Sequence, residues 1–297
     1  MGPDPFSGRV ADIMRVIVTG AAGQLGQAIT EHFSRGHAVL ALSRSELDVT
    51  RHDDVMRAVG DFGPDAIVNC AAYNAVDAAE RDAPAALERN AMAVRSLARA
   101  AAEAGATLVH YGTDFVFDGE AAVPYVEDSD PAPKSVYGQS KLLGEWFALD
   151  AGRCYVLRVE SLFGGPLPRS SIDRIAAALR EGRPARVFTD RIVSPSYVDD
   201  VARATDALLA NGAPYGVYHC VNSGFGSWYD VGVEIARLLG REPLLDPVLM
   251  NDVPLEAPRP RFCALSNARL LACGIPMPSW QDALGRYLDQ RRTPTAA

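Results

Sequence analysis

The sequence predicts a doubly wound α/β fold, in which helices cover both faces of a parallel sheet. Short apolar runs alternate along the first half of the chain with longer stretches whose apolar residues recur at helical spacing. The apolar runs lack polar alternation, as expected for strands that are buried on both faces. A glycine-rich turn follows the first run, which is where doubly wound sheets open their first helix. We therefore expect parallel strands joined by helical crossovers.

Five strands and four helices are predicted in the first half of the chain. The strands are the apolar, partly β-branched runs Arg15–Thr19, Ala38–Leu42, Ala66–Asn69, 107–111 and Cys154–Val159. The helices cover residues 25–34, 53–60 and 84–104, and a fourth begins near Tyr137. Asp53 or Thr50 is expected to cap the second helix.

The pattern loosens beyond Gly164. Helices are predicted near 172–180, 198–210 and Trp228–Leu239, between stretches rich in proline, glycine and arginine. Residues 166–297 are expected to form mainly a smaller substrate lobe over the carboxyl ends of the strands, with some segments returning to the sheet domain. Residues 1–13 look like a leader or tag and are predicted to lie outside the fold.

The composition is that of an ordinary globular chain of 297 residues, long enough to bury a sizeable core. Its net charge of −8 argues against nucleic acid or an anionic membrane surface as the main partner. No apolar run approaches the roughly 18–20 residues that a membrane-spanning helix needs. The five cysteines are scattered and the five histidines dispersed, so we expect no disulfide framework, no metal site and a cytoplasmic location.

The turn after the first strand has the glycine spacing of a phosphate-binding loop. Gly20, Gly23 and Gly26 flank the start of the first helix, where glycine permits a tight turn and close approach of the backbone to a pyrophosphate. The N–H groups at Gln24 and Leu25 would face the phosphates, helped by the helix dipole. The alternative is a glycine-rich turn that binds no ligand. The position between the first strand and the first helix favours a phosphate site.

The end of the second strand indicates which cofactor such a loop would hold. Sites for NAD place an acidic residue there to bind the ribose 2′-hydroxyl. This chain has Ser43 and Arg44 instead, a hydroxyl and a cation that suit a 2′-phosphate. We therefore expect residues 14–165 to form a dinucleotide-binding domain that uses NADP, with NAD as the alternative. The competing interpretation of Arg44 is an ordinary solvated loop residue.

Tyr137 and Lys141 lie four residues apart at the start of the fourth helix, on one face. Delivery of a hydride to a ketone leaves a developing alkoxide that needs a proton from a nearby acid. A tyrosine phenol could supply it if a lysine ammonium and a positively charged nicotinamide lower its pKa from about 10. Thr113, just beyond the fourth strand, could hydrogen-bond the substrate carbonyl, although a turn threonine can instead bond its own backbone. These three residues are the predicted catalytic group.

In their order along the chain, these motifs resemble the extended short-chain dehydrogenase/reductase superfamily, and within it the dTDP-4-dehydrorhamnose reductase family. The resemblance runs from about Met14 to Glu145, with only fragments beyond it. The matching segments read VTGAAGQLG from Val18, LDV from Leu47, IVNCAAYNAVDAAE from Ile67, GTDFVFDG from Gly112 and YGQSK from Tyr137, with Asn90 in between. The resemblance implies a Rossmann-type fold and reduction of a 4-keto group on a nucleotide-linked 6-deoxyhexose.

The resemblance also implies roles for individual residues. Cofactor contacts would come from Gly23, Gln24 and Leu25 at the pyrophosphate, Asp48 and Val49 at the adenine, and Ala71, Ala72 and Tyr111 along the path to the nicotinamide. Lys141 would hold the nicotinamide ribose, and the catalytic set would be Thr113, Tyr137 and Lys141. Thr113 and Asp114 would contact the sugar. We expect Arg261 to contribute to substrate binding as well.

Three departures from the family pattern fall in the predicted substrate site. Gly112 stands where members carry serine or threonine, so one hydroxyl is missing. After the fifth strand the family runs Arg-Thr-Ser-Trp-Val-Tyr, with a sugar-contacting tryptophan, whereas residues 158–163 read RVESLF. Residues 259–263 read RPRFC in place of a typical Arg-Pro-x-Asn-Ser. The cofactor machinery is kept while the substrate pocket differs, which leaves another small carbonyl substrate open.

Two further alternatives remain at this point. The chain could be a regulatory subunit that keeps the nucleotide fold without turnover, as in the related regulatory subunit of methionine adenosyltransferase. It could also be an epimerase, which oxidises and re-reduces its substrate without net use of NADPH and relies on the same tyrosine and lysine. A homodimer is the commonest arrangement among soluble oligomers and is the expected assembly if the chain associates.

Overall fold

The structure of the chain, a computed structural model, describes residues 13–291. The predicted leader therefore lies, except for residue 13, outside the described residues. The described strands are Arg15–Thr19 (β1), Ala38–Leu42 (β2), Ala66–Asn69 (β3), Thr107–Thr113 (β4), Cys154–Val159 (β5), Leu162–Phe163 (β6), Ala185–Phe188 (β7), Ile192–Val193 (β8), Ser196–Tyr197 (β9), Gly216–His219 (β10), Gly226–Ser227 (β11) and Leu245–Val248 (β12).

The described α-helices are Gln24–Phe33 (α1), His52–Phe62 (α2), Val76–Arg81 (α3), Ala83–Leu87 (α4), Ala93–Ala104 (α5), Val136–Leu149 (α6), Ser171–Arg180 (α7), Val198–Asn211 (α8), Trp228–Leu239 (α9), Ala268–Ala272 (α10) and Trp280–Gln290 (α11). A π-helical turn, Glu88–Met92, joins α4 to α5. Short 3-10 turns cover Asp114–Val116 and Met250–Asp252. Within residues 13–291, no helix is both long enough and apolar enough to cross a membrane.

Six strands form one parallel sheet in the order β10-β5-β4-β3-β1-β2. This confirms the predicted fold class. The chain runs from β1 to β2 on one side and then crosses to β3 on the other side of β1, so the carboxyl ends of β1 and β3 flank a switch in strand order. Ligands of open α/β sheets bind in the crevice at such a switch. The topology therefore selects the edge of the sheet where a site is expected.

Alternating side chains of the central strands fill two apolar cores, one on each face of the sheet. In β1, Val16 and Val18 join the core that contains α1 and α8, whereas Ile17 joins the core that contains α2 and α5. Leu97 of α5 and Val201 of α8 are nearly or fully buried in their respective cores. Because helices cover both faces, the strands need no polar side, which explains their continuous apolar sequence.

The structure differs from the predicted elements in the region of the long helix. The predicted helix 84–104 is instead α4, the π turn and α5 in succession. Asn90, inside the π turn, binds both backbone polar groups of Tyr73, accepting from its N–H at 2.8 Å and donating to its carbonyl at 3.1 Å. These long-range bonds fix the turn, and the alanine-rich sequence alone gives no sign of them.

Other differences concern element limits, elements that were not predicted, and the cap of α2. Strand β4 continues to Thr113 instead of ending at residue 111. Strand β10 and helix α3 were not predicted, although β10 is the edge strand that pairs with β5. The predicted cap of α2 was wrong, because Arg51 occupies the N-cap position and the hydroxyl of Thr50 donates to Asp48 at 2.8 Å.

Candidate active site

Most of the predicted site residues line two neighbouring hollows at the switch in strand order. The larger hollow, the active-site cavity, has a volume of about 360 Å3 and lies at the ends of β3, β4 and β5 beside the glycine turn. The second, of about 230 Å3, extends from the glycine turn toward the end of β2. The two share Gly23, Ala71 and Ala72, so a single extended ligand could occupy both.

The glycine turn is built so that only glycine fits at two of its positions. Gly20 has a φ of +64°, and a Cβ there would lie 2.6 Å from the backbone nitrogen of Ala71. A Cβ on Gly26 would lie 2.3 Å from the carbonyl oxygen of Gly20. Gly23 is the N-cap of α1 and has no side chain to cap it, so the first amides of that helix remain available to an anion. Gln24 and Leu25 carry these amides and line the cavity.

The second hollow contains two cations and one carboxylate. Arg44 lines it, as predicted for a 2′-phosphate site, and so does Arg89 from the π turn. Asp48 and Val49 also line it. Hydrogen bonds from Thr50, with the nearby charges of Arg44 and Arg89, hold the pKa of the Asp48 carboxyl below its ordinary value. Asp48 is therefore an ionised hydrogen-bond acceptor at neutral pH.

Ser43 lies outside that hollow. Its hydroxyl donates to the carboxylate of Glu46 at 2.6 Å, and its backbone N–H donates to the same carboxylate at 2.8 Å. These bonds hold the pKa of Glu46 below its ordinary value. The Ser43 hydroxyl is thus engaged within its own loop, whereas Arg89 lines the hollow together with Arg44. Arg89 could not be found by sequence pattern, because it is distant from Arg44 along the chain.

Thr113, Tyr137 and Lys141 come together in the active-site cavity. The hydroxyl of Ser135 accepts from the backbone N–H of Gly138 at 3.1 Å and so fixes the start of α6. Tyr137 and Lys141 then lie one turn apart on the same face of α6. The extra residues of β4 bring Thr113 to the strand end, where it lines the same cavity.

The tyrosine and lysine are held by their surroundings rather than by each other. The Tyr137 ring packs edge-on against Phe115, with ring centroids 5.4 Å apart. The Lys141 Nζ donates to the backbone carbonyl of Tyr111 at 2.5 Å. The hydroxyl of Tyr111 is bonded in turn to Thr205 at 2.8 Å. Tyr137 and Lys141 are buried, with 9% and 3% of their surface exposed, so the protein interior governs the ionisation of both side chains.

Burial raises the pKa of the Tyr137 phenol well above its ordinary value, the negative charge of Asp114 raises it further, and a hydrogen bond with Thr113 opposes the rise. The lowering that we expected also requires a positively charged nicotinamide beside the phenol, so it stays a prediction for the cofactor-bound protein. Burial also lowers the pKa of Lys141 to about 8, against an opposing contribution from Glu145. Without a cationic ligand, the phenol is therefore protonated at neutral pH, and a nearby positive charge would be needed to lower its pKa and ease transfer of the proton.

Gly112 is explained by the buried ion pair behind it. Arg158 donates to both oxygens of Glu145, with distances of 2.8 to 3.2 Å, and the two side chains are 5% and 1% exposed. A Cβ on Gly112 would lie 2.2 Å from Glu145 Oε1. A serine at this position, as in the family pattern, would require Glu145 to move. The missing hydroxyl is thus linked to the placement of the ion pair.

Polar residues that sequence reasoning did not select lie at the base of the active-site cavity. Glu160 and Arg191 line it together with Asp114. Burial raises the pKa of Glu160 to about 8, and the neighbouring charge of Asp114 contributes. Burial also raises the pKa of Asp114, while Arg191 opposes that rise. Ser161, next to Glu160, has a φ of 44°, a conformation that costs a non-glycine residue on the order of 1–3 kcal/mol.

Arg261 does not line the active-site cavity. Its side chain is 54% exposed, and its Nη2 donates to Asn251 at 2.8 Å. Its backbone carbonyl accepts from the N–H of Ile192, the residue after Arg191. Arg191, and not Arg261, is the arginine of these two paired segments that lines the cavity.

A third groove continues from Arg191 along the second half of the chain. It has a volume of about 540 Å3 and lies between α7, β7 and α9. Its lining is strongly cationic and includes two aromatic rings, with contributions from Arg174, Arg183, Arg186, Arg191, Arg259, Phe188 and Trp228. Sequence reasoning missed this groove because its arginines are spread over four separate segments of the chain. It could hold an anionic, ring-bearing ligand that reaches the active-site cavity at Arg191.

Comparison with known proteins agrees with the family resemblance predicted from the motifs. The sequence profile described as RmlD substrate binding domain matches residues 14–293. A protein named dTDP-4-dehydrorhamnose reductase from Streptomyces griseus is 37% identical to this chain over 91% of each sequence. The spore coat polysaccharide biosynthesis protein SpsK of Bacillus subtilis is 32% identical over 93% of this chain and 98% of its own.

Solved structures agree with the sequence comparison. The dTDP-4-dehydrorhamnose reductase of Bacillus anthracis, in complex with NADP, has a TM-score of 0.89 and 31% identity, covering 94% of this chain and 100% of its own. The corresponding enzyme of Clostridium acetobutylicum also has a TM-score of 0.89, with 32% identity and the same coverage. The resemblance predicted from the motifs is confirmed: this chain belongs to the RmlD substrate binding domain family.

Proposed function

We propose that this chain is an NADPH-dependent oxidoreductase that reduces the 4-keto group of a nucleotide-linked 6-deoxy sugar, with Tyr137 as the proton donor. The observation that carries the proposal is the single cavity that holds the glycine turn, Thr113, Tyr137 and Lys141. Two relatives at 37% identity are named dTDP-4-dehydrorhamnose reductase and probable dTDP-4,6-dihydroxy-2-methyloxan-3-one 4-ketoreductase. Both names describe reduction at a ring ketone.

The hollows fit the cofactor in shape and charge. Gly23 lines both hollows and carries no side chain, so a ligand can approach the backbone of the turn closely there. The first amides of α1 would bind the pyrophosphate, and Arg44 and Arg89 would bind a 2′-phosphate. Asp48 and Val49 would contact the adenine. NADPH supplies a hydride when bound.

The protein's own part in the reaction is to orient the ketone and give it a proton. Tyr137 would donate its phenolic proton to the carbonyl oxygen as negative charge develops there. Thr113 would direct its hydroxyl toward the same oxygen and hold it in line with the phenol. Lys141, anchored at the Tyr111 carbonyl, would bind the nicotinamide ribose and stabilise the phenolate that remains.

The nucleotide half of the substrate would occupy the arginine-lined groove. Arginine binds phosphate through charge-assisted, often bidentate hydrogen bonds. Arg174 and Arg186 could bind a diphosphate, Arg183 could join them by leaving its exposed pair with Glu181, and Phe188 and Trp228 offer aromatic surface to a base. The groove reaches the active-site cavity at Arg191, which lines both. A nucleotide diphosphate in the groove would thus place its attached sugar beside Tyr137.

Arg44 and Arg89 are expected to decide the preference between the two nicotinamide cofactors. Arg44→Ala and Arg89→Ala should each raise the Kd for NADPH by roughly 10-fold, since each removes a charge-assisted contact with the 2′-phosphate. The Kd for NADH should change by less than about twofold, because NADH lacks that phosphate. Fluorescence titration with both cofactors measures the ratio. Equal losses for both would exclude the 2′-phosphate assignment, and Ser43→Ala, outside the hollow, provides the matched control.

The proposed reaction is tested by NADPH oxidation with dTDP-4-dehydrorhamnose and related nucleotide 4-keto sugars. We expect stoichiometric NADPH consumption and a product with a new hydroxyl at C4. Tight NADPH binding with no turnover across the panel would instead favour a regulatory subunit. Inversion at a sugar carbon with no net NADPH consumption would favour an epimerase. Chromatography of the product distinguishes these outcomes.

We also propose three properties that accompany this function. Residues 166–297 form mainly the substrate lobe, because the arginine groove lies within them and β10 returns to the sheet. The compartment is the cytoplasm, in line with five free cysteines and a soluble cofactor. A homodimer is the expected assembly, and the oligomeric state is measurable by light scattering.

A further inference from the structure

Two buried carboxylates, Asp114 and Glu160, lie together at the base of the active-site cavity. Ligand atoms of Asp114, Glu160 and Cys263 are all within 4.8 Å of one another. The carboxylate residues are 4% and 2% exposed, yet both line the cavity, and so does Arg191. The proposed reduction draws its proton from Tyr137 and leaves the second carboxylate without a role.

Asp114 presents one oxygen to which no group in the described part of the chain is bonded. Its Oδ1 accepts from the Thr113 hydroxyl at 3.0 Å, whereas Oδ2 is buried and has no hydrogen-bond partner among residues 13–291. The neighbouring Cys263 thiol donates to the Pro260 carbonyl at 3.3 Å, and its interaction with the Asp114 carboxyl also opposes the rise of that group's pKa. A buried carboxylate oxygen without a donor is costly. Asp114 Oδ2 is thus the atom that a hydrogen-bond donor on the ligand would have to reach to complete the site.

Glu160 adds a second acid where the family pattern has serine. Its carboxylate accepts from the Ser161 hydroxyl at 2.6 Å and also from the backbone N–H of Ser194. Ser161 stands where the family has tryptophan and adopts the left-handed φ of 44°. Such strain persists only where the surroundings over-determine it. Glu160 is thus held in place at the cavity by specific contacts.

The cluster contains two carboxylates, Asp114 and Glu160, and one guanidinium, Arg191, so it needs one more proton or cation to be neutral. Arg191 can neutralise one carboxylate, and a guanidinium inside the cluster disfavours a divalent metal ion. Because burial raises the pKa of Glu160 to about 8, the second carboxylate is protonated at neutral pH. A ligand cation could replace that proton. The other titratable or charged groups facing the cluster are Cys263, Tyr137, Lys141 and Arg191.

We propose that Asp114 and Glu160 bind a protonated amino group on the ring carbon next to the reacting carbonyl, so that the substrate is a nucleotide-linked amino-keto sugar. The orientation of the ring rests on the proposed function. The Thr113 hydroxyl donates to Asp114 Oδ1 at 3.0 Å and would turn to the C4 carbonyl of the substrate. Both oxygens of Asp114 could then accept hydrogen bonds from the ligand, about one hydrogen-bond length from that hydroxyl. Substituents on adjacent ring carbons have that separation, and C5 carries the methyl group, so the amine is at C3.

Binding then exchanges one proton for one ligand cation. The ammonium donates to Asp114 Oδ2 and to the Glu160 carboxylate, and Glu160 releases its proton to solvent. No bond other than that O–H bond is broken, and the cluster keeps its net charge. A hydroxyl at C3 would leave the Glu160 proton in place.

Calorimetry on the full chain with bound NADP tests this exchange. The probes are dTDP-3-amino-3,6-dideoxyglucose and dTDP-6-deoxyglucose, which differ only at C3 and cannot be reduced. At a pH near 6.5, where both the amine and Glu160 are protonated, we expect about 10-fold tighter binding of the amino compound. About one proton should be released per ligand, measured in buffers of different ionisation enthalpy. Equal affinities, or no proton release, would overturn the proposal.

Glu160→Gln keeps the shape of the side chain and removes its charge. This variant should lose both the preference for the amine and the proton release, while affinity for the hydroxyl compound changes by less than about twofold. Cys263→Ser, a neutral change in the same cluster, should keep the preference. An undiminished preference in Glu160→Gln would contradict the assignment.

The same measurements separate this inference from the proposed function. Reduction of 3-hydroxy 4-keto sugars without any preference for the amine would leave the function standing and reject the amine site. Failure of both nucleotides to bind, in a protein that binds NADPH, would reject both.

Discussion

Tyr137→Phe is expected to lower turnover by roughly 10²–10⁴ while leaving the Kd for NADPH nearly unchanged. The phenylalanine keeps the edge-on contact with Phe115 but has no proton to give to the developing alkoxide. Because burial raises the pKa of the phenol, Tyr137 remains protonated across the neutral range. Turnover with dTDP-4-dehydrorhamnose and fluorescence titration with NADPH measure the two quantities.

Tyr215→Phe is the matched control for this substitution. Tyr215 lies just before β10, is 46% exposed and lines neither cofactor hollow. It should have wild-type turnover. A Tyr137→Phe enzyme with near-wild-type turnover would remove this phenol from the mechanism, and a large loss of NADPH affinity would show that the substitution disturbs the cofactor hollow.

Glu145→Leu is expected to lower the free energy of unfolding by about 3–5 kcal/mol, because it leaves the Arg158 guanidinium buried without its counter-charge. The leucine is apolar and of similar size, so little cavity is created. Urea denaturation measures the change, and an unaltered m-value shows that the surface exposed on unfolding is the same. Because both side chains are almost inaccessible to water, added salt should not reduce the effect much.

The double variant Glu145→Leu/Arg158→Met separates two contributions to the free energy of unfolding: the loss caused by an unpaired buried charge, and the net contribution of the ion pair itself. Replacing both partners by apolar groups is often neutral or stabilising, so most of the lost stability should return. Glu181→Leu, which breaks the exposed pair with Arg183, should leave stability unchanged within error. A double variant as unstable as Glu145→Leu would mean that packing, and not the orphaned charge, dominates.

The parts of the molecule that sequence could predict are those encoded by neighbouring residues. The glycine turn lies within seven consecutive residues, and its close approaches follow from glycine alone. Tyr137 and Lys141 share a helical turn, so their common face follows from helix geometry. Strand bounds at β1, β2, β3 and β5 were predicted because each strand is a short, continuous apolar run, buried throughout in β3 and β5 and only partly buried in the edge strand β2.

The parts that sequence could not predict depend on contacts between distant segments. Arg89 faces the cofactor hollow because long-range bonds of Asn90 fix the π turn. Arg191 faces the cavity while Arg261 points outward, because the backbone N–H of Ile192 donates to the Arg261 carbonyl and pairs the two segments in this orientation. The burial that raises the phenol pKa could not be predicted for a related reason, because the extent of burial around Tyr137 is a tertiary property.

The edge position of β10 limits how this protein can be divided. A fragment that ended at residue 165 would leave one side of β5 unpaired and remove α8 from its packing against α1. The residues of β5 are buried throughout, so the bared strand would offer an apolar template for association with other chains. The nucleotide-binding half is therefore not a module that can be truncated and produced alone. During translation its sheet is complete only after His219 has left the ribosome.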